Sequence, residues 1–171
     1  MAVFSTDLSQ TVEVLLERKN YNSVKDILST VNPADIAVIF RDQPAQRLLI
    51  LFRLLPKETA ADVFVEMEPV LQEQLINAFS DKELADIVNE MYADDAADLV
   101  EEMPASVVKR ILKQASPDVR RDINELLKYP EDSAGSIMTP EFADLHSSMT
   151  AAEALDHIRL TGVDKETIDI C

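Results

Sequence analysis

From residue 8 to about residue 128, apolar side chains recur at the spacing of an amphipathic helix. Pro, Ser or Asn interrupts the pattern about every 10 to 15 residues. These interruptions are suited to starting helices. Asn32-Pro33 and Ser116-Pro117 each place a capping side chain before a proline whose fixed φ and missing N–H suit the first helical position. Ser80-Asp81-Lys82-Glu83 is a capping box ahead of Leu84, Ile87, Val88 and Met91, in which the Glu side chain can reach back to the Ser N–H. The pattern predicts many short helices, tightly joined.

Within that stretch a short pattern repeats: Ala-Asp, two apolar residues, any residue, then Glu-Met. It occurs at Ala61–Met67, Ala85–Met91 and Ala97–Met103, and Ala34-Asp35-Ile36 begins a copy without the Glu-Met end. Amphipathic helices this short are marginal alone and must stack on their neighbours to bury their apolar stripes. The expected fold class is therefore all-α, a superhelix (solenoid) of short helices over residues 1–128. The character changes after Lys128: residues 129–141 hold two prolines and Gly135, a linker composition. Beyond it, residues 142–148 read as a short strand, Thr150-Ala151-Ala152-Glu153 as a capping box opening a helix to Ile158 or Leu160, and residues 167–171 as a strand start. Some 30 residues of that kind cannot bury a core. The expectation is a truncated α+β fragment, in a chain that stops inside a domain.

Composition narrows the chemistry. The chain has 171 residues, with 32 Asp and Glu against 16 Lys and Arg, for a formal charge of −16. No basic face can be assembled to neutralise phosphates, so nucleic acid and anionic membrane surfaces are poor partners, and cations or basic surfaces are better ones. Two glycines leave no material for a phosphate loop, and the single cysteine, Cys171, allows no disulfide framework. No segment reads as a secretory signal or a membrane span. His146 and His157 have no nucleophile setting beside them, so no catalytic constellation is expected and the chain is not read as an enzyme.

The acids are concentrated. Residues 81–102 carry Asp81, Glu83, Asp86, Glu90, Asp94, Asp95, Asp98, Glu101 and Glu102, with Lys82 the one base. Asp62/Glu66, Asp86/Glu90, Asp94/Asp98 and Asp98/Glu102 are each spaced to share a helix face, where like charges without a counter-charge cost roughly 0.2–0.5 kcal/mol per pair. A solvated acidic face needs no ligand and accounts for this pattern. If a metal binds, carboxylates without His or Cys select a hard ion, Mg²⁺ or Ca²⁺. The absence of an Asp-x-Asp-x-Asp-Gly loop excludes an EF-hand.

The segment Tyr129-Pro-Glu-Asp-Ser-Ala-Gly-Ser-Ile-Met-Thr-Pro-Glu-Phe142 resembles the junction of the MgtE family of magnesium transporters, where an α-superhelical N domain meets the first CBS domain. The resemblance covers the whole chain: residues 1–128 as the N domain, 129–141 as the linker, 142–171 as the start of the CBS domain. It implies a cytosolic Mg²⁺ sensor for a dimeric pore in the cell membrane. Mg²⁺ held between acidic N-domain and CBS surfaces would favour closure, and unscreened repulsion would favour release. By motif position it implies Asp62, Asp94 and Asp98 as Mg²⁺ ligands, with a main-chain oxygen at Ser136, where the family pattern often has Gly. The implied partners are Mg²⁺ and the CBS and transmembrane domains of the same protein, as a homodimer; a half-site of this kind would bind Mg²⁺ weakly. Ala-Asp repeats also resemble the flagellar motor switch superhelix, so the alternative is a helical scaffold that binds a basic protein.

Overall fold

A computed structural model of the chain describes residues 2–130 and 133–168, with side chains from Leu8 onward except that of Asp164. Eleven α-helices are present among the described residues: α1 (Ala2–Glu17), α2 (Tyr21–Leu28), α3 (Pro33–Arg41), α4 (Ala45–Phe52), α5 (Lys57–Val65), α6 (Pro69–Ala78), α7 (Asp81–Val88), α8 (Ala93–Glu102), α9 (Ala105–Gln114), α10 (Pro117–Leu126) and α11 (Ala151–Thr161). Single 3₁₀ turns occupy Ala134–Ser136 and Gly162–Asp164. The all-α expectation holds for the described residues.

The starts of α2 to α10 fall at 21, 33, 45, 57, 69, 81, 93, 105 and 117, a strict interval of 12 residues. The Ala-Asp-Φ-Φ-x-Glu-Met pattern is the second half of this unit. Each copy runs to the end of a helix and leaves Met67, Met91 or Met103 buried just beyond it. From α2 to α8 the fourth and eighth residues of each unit are buried: Val24 and Leu28, Ile36 and Phe40, Leu48 and Phe52, Ala60 and Phe64, Gln72 and Ile76, Leu84 and Val88, Ala96 and Val100. Spaced by four, they share one face, and burying a side chain of this size from water stabilises by about 1.5–3 kcal/mol. In α9 the buried pair moves one place, to Val107 and Ile111.

The chain forms two compact units. In the first, residues 1–91 and 99–116, helices two apart in sequence pack together: α1 on α3, α3 on α5, α5 on α7, α7 on α9, and α4 on α6. Phe52, Phe64 and Phe79 meet with ring centroids 5.2–6.4 Å apart, in edge and tilted arrangements that suit the aromatic quadrupole. Gln72 stands at a register position that is apolar in the neighbouring units. Its Nε2 donates to the Phe64 carbonyl at 2.8 Å, while its buried Oε1 has no partner. Arg110 of α9 closes the far end of α6, donating to the Ile76 carbonyl, to the Phe79 carbonyl at 2.6 Å and to Asp81 at 3.2 Å. A cation on the last carbonyls of a helix satisfies acceptors that the helix itself leaves open.

Caps are where the sequence places them. Asn32 Oδ1 accepts the Ala34 N–H at 3.0 Å, with Pro33 at the first helical position. Both capping boxes form, Ser80 with Glu83 and Thr150 with Glu153.

The second unit comprises residues 92–98 and 117–171. Ala93, Ala97 and Leu126 form its core cluster, with Leu127 against them. The segment read as a linker is ordered where described. Ser133 Oγ accepts the Ser136 N–H at 3.3 Å, and the Tyr129 ring lies so close over Gly135 that a Cβ there would overlap it. This close approach, not a left-handed φ, is what requires glycine.

The strand expected over 142–148 does not form, and most of the one expected over 167–171 lies outside the described residues. Among the described residues the only β pairing is an isolated parallel bridge, Phe142 to Thr167; residues 169–171 lie outside the described part. Among the described residues nothing extends this bridge into a ladder, and a single pairing is too little to persist as a strand. Among the described residues of 142–171 the expected α+β character comes to α11, one 3₁₀ turn and one bridge. No residue of α11 is buried, and Leu160 and Val163 are 81% and 82% exposed.

Candidate acidic cation site

The first turn of α8 carries Asp94 and Asp95, acids that favour the positive end of the helix dipole. Asp94 is half-buried, and its Oδ1 is shielded from solvent with no hydrogen-bond partner. Burial pushes its carboxyl above the usual range and the Glu166 charge adds to this. The N–H groups of Asp94 and Asp95 pull it back, and Glu141 pushes it up again. A buried, unsatisfied carboxylate oxygen is costly unless something pairs with it. Asp98 lies one turn further on the same face and is exposed.

The α8 N-terminus takes an acceptor from far along the chain. The buried Ala93 N–H donates to Glu141 Oε1 at 3.2 Å. Thr139 Oγ1 donates to Glu141 Oε2 at 3.3 Å and accepts the Glu141 N–H at 3.2 Å. The Glu141 carbonyl accepts the Glu166 N–H at 2.9 Å and the Thr167 N–H at 3.4 Å. Sequence reasoning did not single out Glu141 or Glu166. One signal was available: Tyr92 precedes α8 where Ser, Thr, Asn or Asp would normally cap, which leaves the first N–H groups of the helix open to an acceptor from elsewhere.

Ser136 is half-buried in the 3₁₀ turn, and its Oγ donates to the Ser133 carbonyl at 2.9 Å, which turns the hydroxyl toward that oxygen. Asp62 belongs to the other unit, on the exposed side of α5. Crowding around it and the Glu58 charge one turn earlier push its carboxyl up. The structure brings Asp94 and Asp98 onto one helix face and adds two carboxylates, Glu141 and Glu166, whose charges act on Asp94 and which sequence reasoning missed.

The α7 acids are engaged differently. Glu83 completes its capping box and receives Arg53 at 2.7 and 3.3 Å, so the guanidinium and then the Ser80 N–H hold its carboxyl down at about 2. Asp86 receives Lys57 at 2.8 Å, which answers the Asp86/Glu90 repulsion, and Asp81 receives Arg110. The first two pairs rim a cleft of about 170 Å³ floored by Phe52, Phe79 and Ile87. Among the described residues, Asp62, Asp94, Asp98, Glu101 and Glu102 enter no ion pair.

Mg²⁺ keeps several waters and takes one or two protein carboxylates, and Asp94, with its orphaned oxygen, and Asp98 are oxygen donors of the kind such an ion accepts. Among the described residues no group of three or more His, Cys, Asp or Glu is placed to hold a metal by itself. No helix there is long and apolar enough to cross a membrane.

Residues 31–132 match the family model of the MgtE intracellular N domain. The chain is similar to the magnesium transporter MgtE of Thermus thermophilus, 28% identical over 165 residues, covering 94% of this chain and 36% of that protein. It is also similar to the magnesium transporter MgtE of Bacillus subtilis, 23% identical, covering 95% of this chain and 36% of that protein. It therefore spans about a third of the length of these curated relatives. Among solved structures it resembles the cytosolic domain of the Mg²⁺ channel MgtE in complex with ATP, with a TM-score of 0.84 and 27% identity, covering 94% of this chain and 66% of that one. The soluble part of a magnesium transporter has the same fold at a TM-score of 0.84 and 22% identity, covering 96% of this chain and 65% of that one.

Proposed function

This chain belongs to the MgtE family through the intracellular N domain at residues 31–132, and on that premise we propose that it is the Mg²⁺-sensing regulatory region of a magnesium transporter, at the cytoplasmic face of the membrane. The observation that carries this reading is the half-buried Asp94, with an unpartnered oxygen, on the one helix face where it and Asp98 lack a base. Residues 1–128 act as the N domain, 129–141 as the linker and 142–171 as the opening of a CBS domain. The bare apolar side chains of α11 support that last assignment, since they suit a face that further chain of the same domain covers.

In this proposal Asp94 and Asp98 are oxygen ligands for Mg²⁺, joined by the main-chain oxygen of Ser136, and Asp62 serves a second contact. With Mg²⁺ bound, carboxylates of the N domain and of the CBS region approach without repulsion and favour the closed pore. At low Mg²⁺ their charges separate the surfaces. The chain's role is control of transport, not catalysis, and the transporter works as a homodimer.

Asp94→Ala with Asp98→Ala in the full-length protein, read as Mg²⁺-dependent closure of the pore, tests this. The expected result is closure that requires far more Mg²⁺; unchanged closure refutes the assignment.

A further inference from the structure

We propose that Glu141 is the positioning residue of the Asp94 site: as a placed acceptor it holds the first turn of α8 against residues 139–142 and 166–167, and so sets where Asp94 can meet Mg²⁺. The inference rests on the Mg²⁺ reading above and adds a residue that reading does not use.

Three observations converge on this one side chain. Helix α8 starts after Tyr92, which offers no side-chain oxygen of the usual capping kind, while Ala93 is buried and its N–H has no water to turn to. Glu141 Oε1 supplies that acceptor from 48 residues away, at 3.2 Å. The carboxylate is itself aimed: Thr139 Oγ1 holds Oε2 from one side and accepts the Glu141 N–H from the other. The Glu141 main chain is fixed as well, since its carbonyl takes the N–H groups of Glu166 and Thr167 next to the Phe142–Thr167 bridge. A carboxylate in this position satisfies the helix dipole, yet it also stands near Asp94 with a like charge. A solvated acid would turn away from that repulsion. The Thr139 and Ala93 bonds keep this one in place, so its work is to hold geometry.

Positioning and charge are separable by substitution. Glu141→Gln keeps an acceptor oxygen without the charge, Glu141→Ala removes both, and Thr139→Val removes the aim without touching any charge. In the 171-residue chain without metal, amide hydrogen exchange at Ala93 is expected to be about tenfold faster in Glu141→Ala, by the usual worth of a helix cap. Thr139→Val moves the same way by less, and Glu141→Gln stays near the parent rate. Equal exchange in Glu141→Ala and the parent overturns the proposal, as does Glu141→Gln exchanging as fast as Glu141→Ala, which would make charge the active property. Should Glu141→Ala unfold the unit, Thr139→Val decides: a parent rate at Ala93 there overturns the proposal.

With MgCl₂ titrated and the Asp98 amide followed by NMR, Glu141→Ala and Thr139→Val raise the midpoint severalfold. An unmoved midpoint in both, with Asp94→Ala abolishing the response, overturns the positioning role. A response that survives Asp94→Ala instead refutes the Mg²⁺ reading of the site. The metal-free exchange at Ala93 is independent of that outcome, so the two failures are distinguishable.

Discussion

In α7, Asp81, Glu83 and Asp86 each meet a base 29 or 30 residues away, on Arg110, Arg53 and Lys57; in α8, Asp94 and Asp98 meet none among the described residues. Both helices have the same length class, the same 12-residue unit and the same Ala-Asp-Φ-Φ-x-Glu-Met ending. The difference is where the bases fall. In a ladder of helices packed two apart, a side chain about 24 to 30 residues away is a neighbour, and α7 has bases at that distance on both sides. Its acids are thereby engaged in holding the fold. Asp94 and Asp98 of α8 have no such base among the described residues, and the single negative total of −16 conceals the distinction.

Breaking the α7 side should have the largest effect. Leu84 is fully buried, and Leu84→Ala is expected to cost about 2–5 kcal/mol in urea unfolding, the range for a buried leucine that leaves a cavity. Asp98→Ala, exposed and unpaired, should change the same measurement by less than about 0.5 kcal/mol.

Glu83→Gln comes next. The folded-state pKa of Glu83, about 2, lies below the ordinary 4.5. Its contribution is therefore complete above pH 4.5 and is lost as pH falls toward about 2. A third of the side chain is exposed, so solvent weakens the Arg53 pair, and because glutamine keeps an acceptor for the Ser80 N–H the loss at neutral pH should be below about 1 kcal/mol, from that pair. Stability measured against pH should flatten in the substituted protein between those two values.

Asp94→Asn reverses the sign. A carboxyl pushed up by burial favours folding only while protonated, below its ordinary pKa, and that contribution disappears as pH rises through the folded-state value. Without metal at pH 7 the asparagine protein should be more stable, by about 0.5 kcal/mol in urea unfolding. A loss instead would place Asp94 with the α7 acids. The smallest effect belongs to Lys57 and Asp86. Their coupling in a double-mutant cycle should be below that of Arg53 with Glu83 and should vanish as salt is added.

Much of this was written locally. Both capping boxes, the Asn32-Pro33 start and the helical character of residues 8–128 are properties of a few adjacent residues, and each formed as read. The 12-residue register was harder to see because no one residue precedes every helix: Asn20, Asn32, Pro44, Pro56, Glu68, Ser80, Tyr92, Pro104 and Ser116 fall into five types. Only the ends of α5, α7 and α8 repeat visibly. The strand reading of 142–148 did not hold because a strand depends on partners, and the one pairing among the described residues is the Phe142–Thr167 bridge; most of the strand start read at 167–171 lies outside the described residues.

At the acidic site, the spacing of Asp94 and Asp98 was legible, being set by one helix. The contacts of Glu141 were not, because they join positions 48 residues apart. The sequence by itself determined the helices, their caps and the surplus of acid, since each follows from neighbours along the chain. Only the tertiary structure decided which acids were neutralised. A charge is answered by whatever packing brings within about 4 Å, and packing here joins residues roughly 30 positions apart.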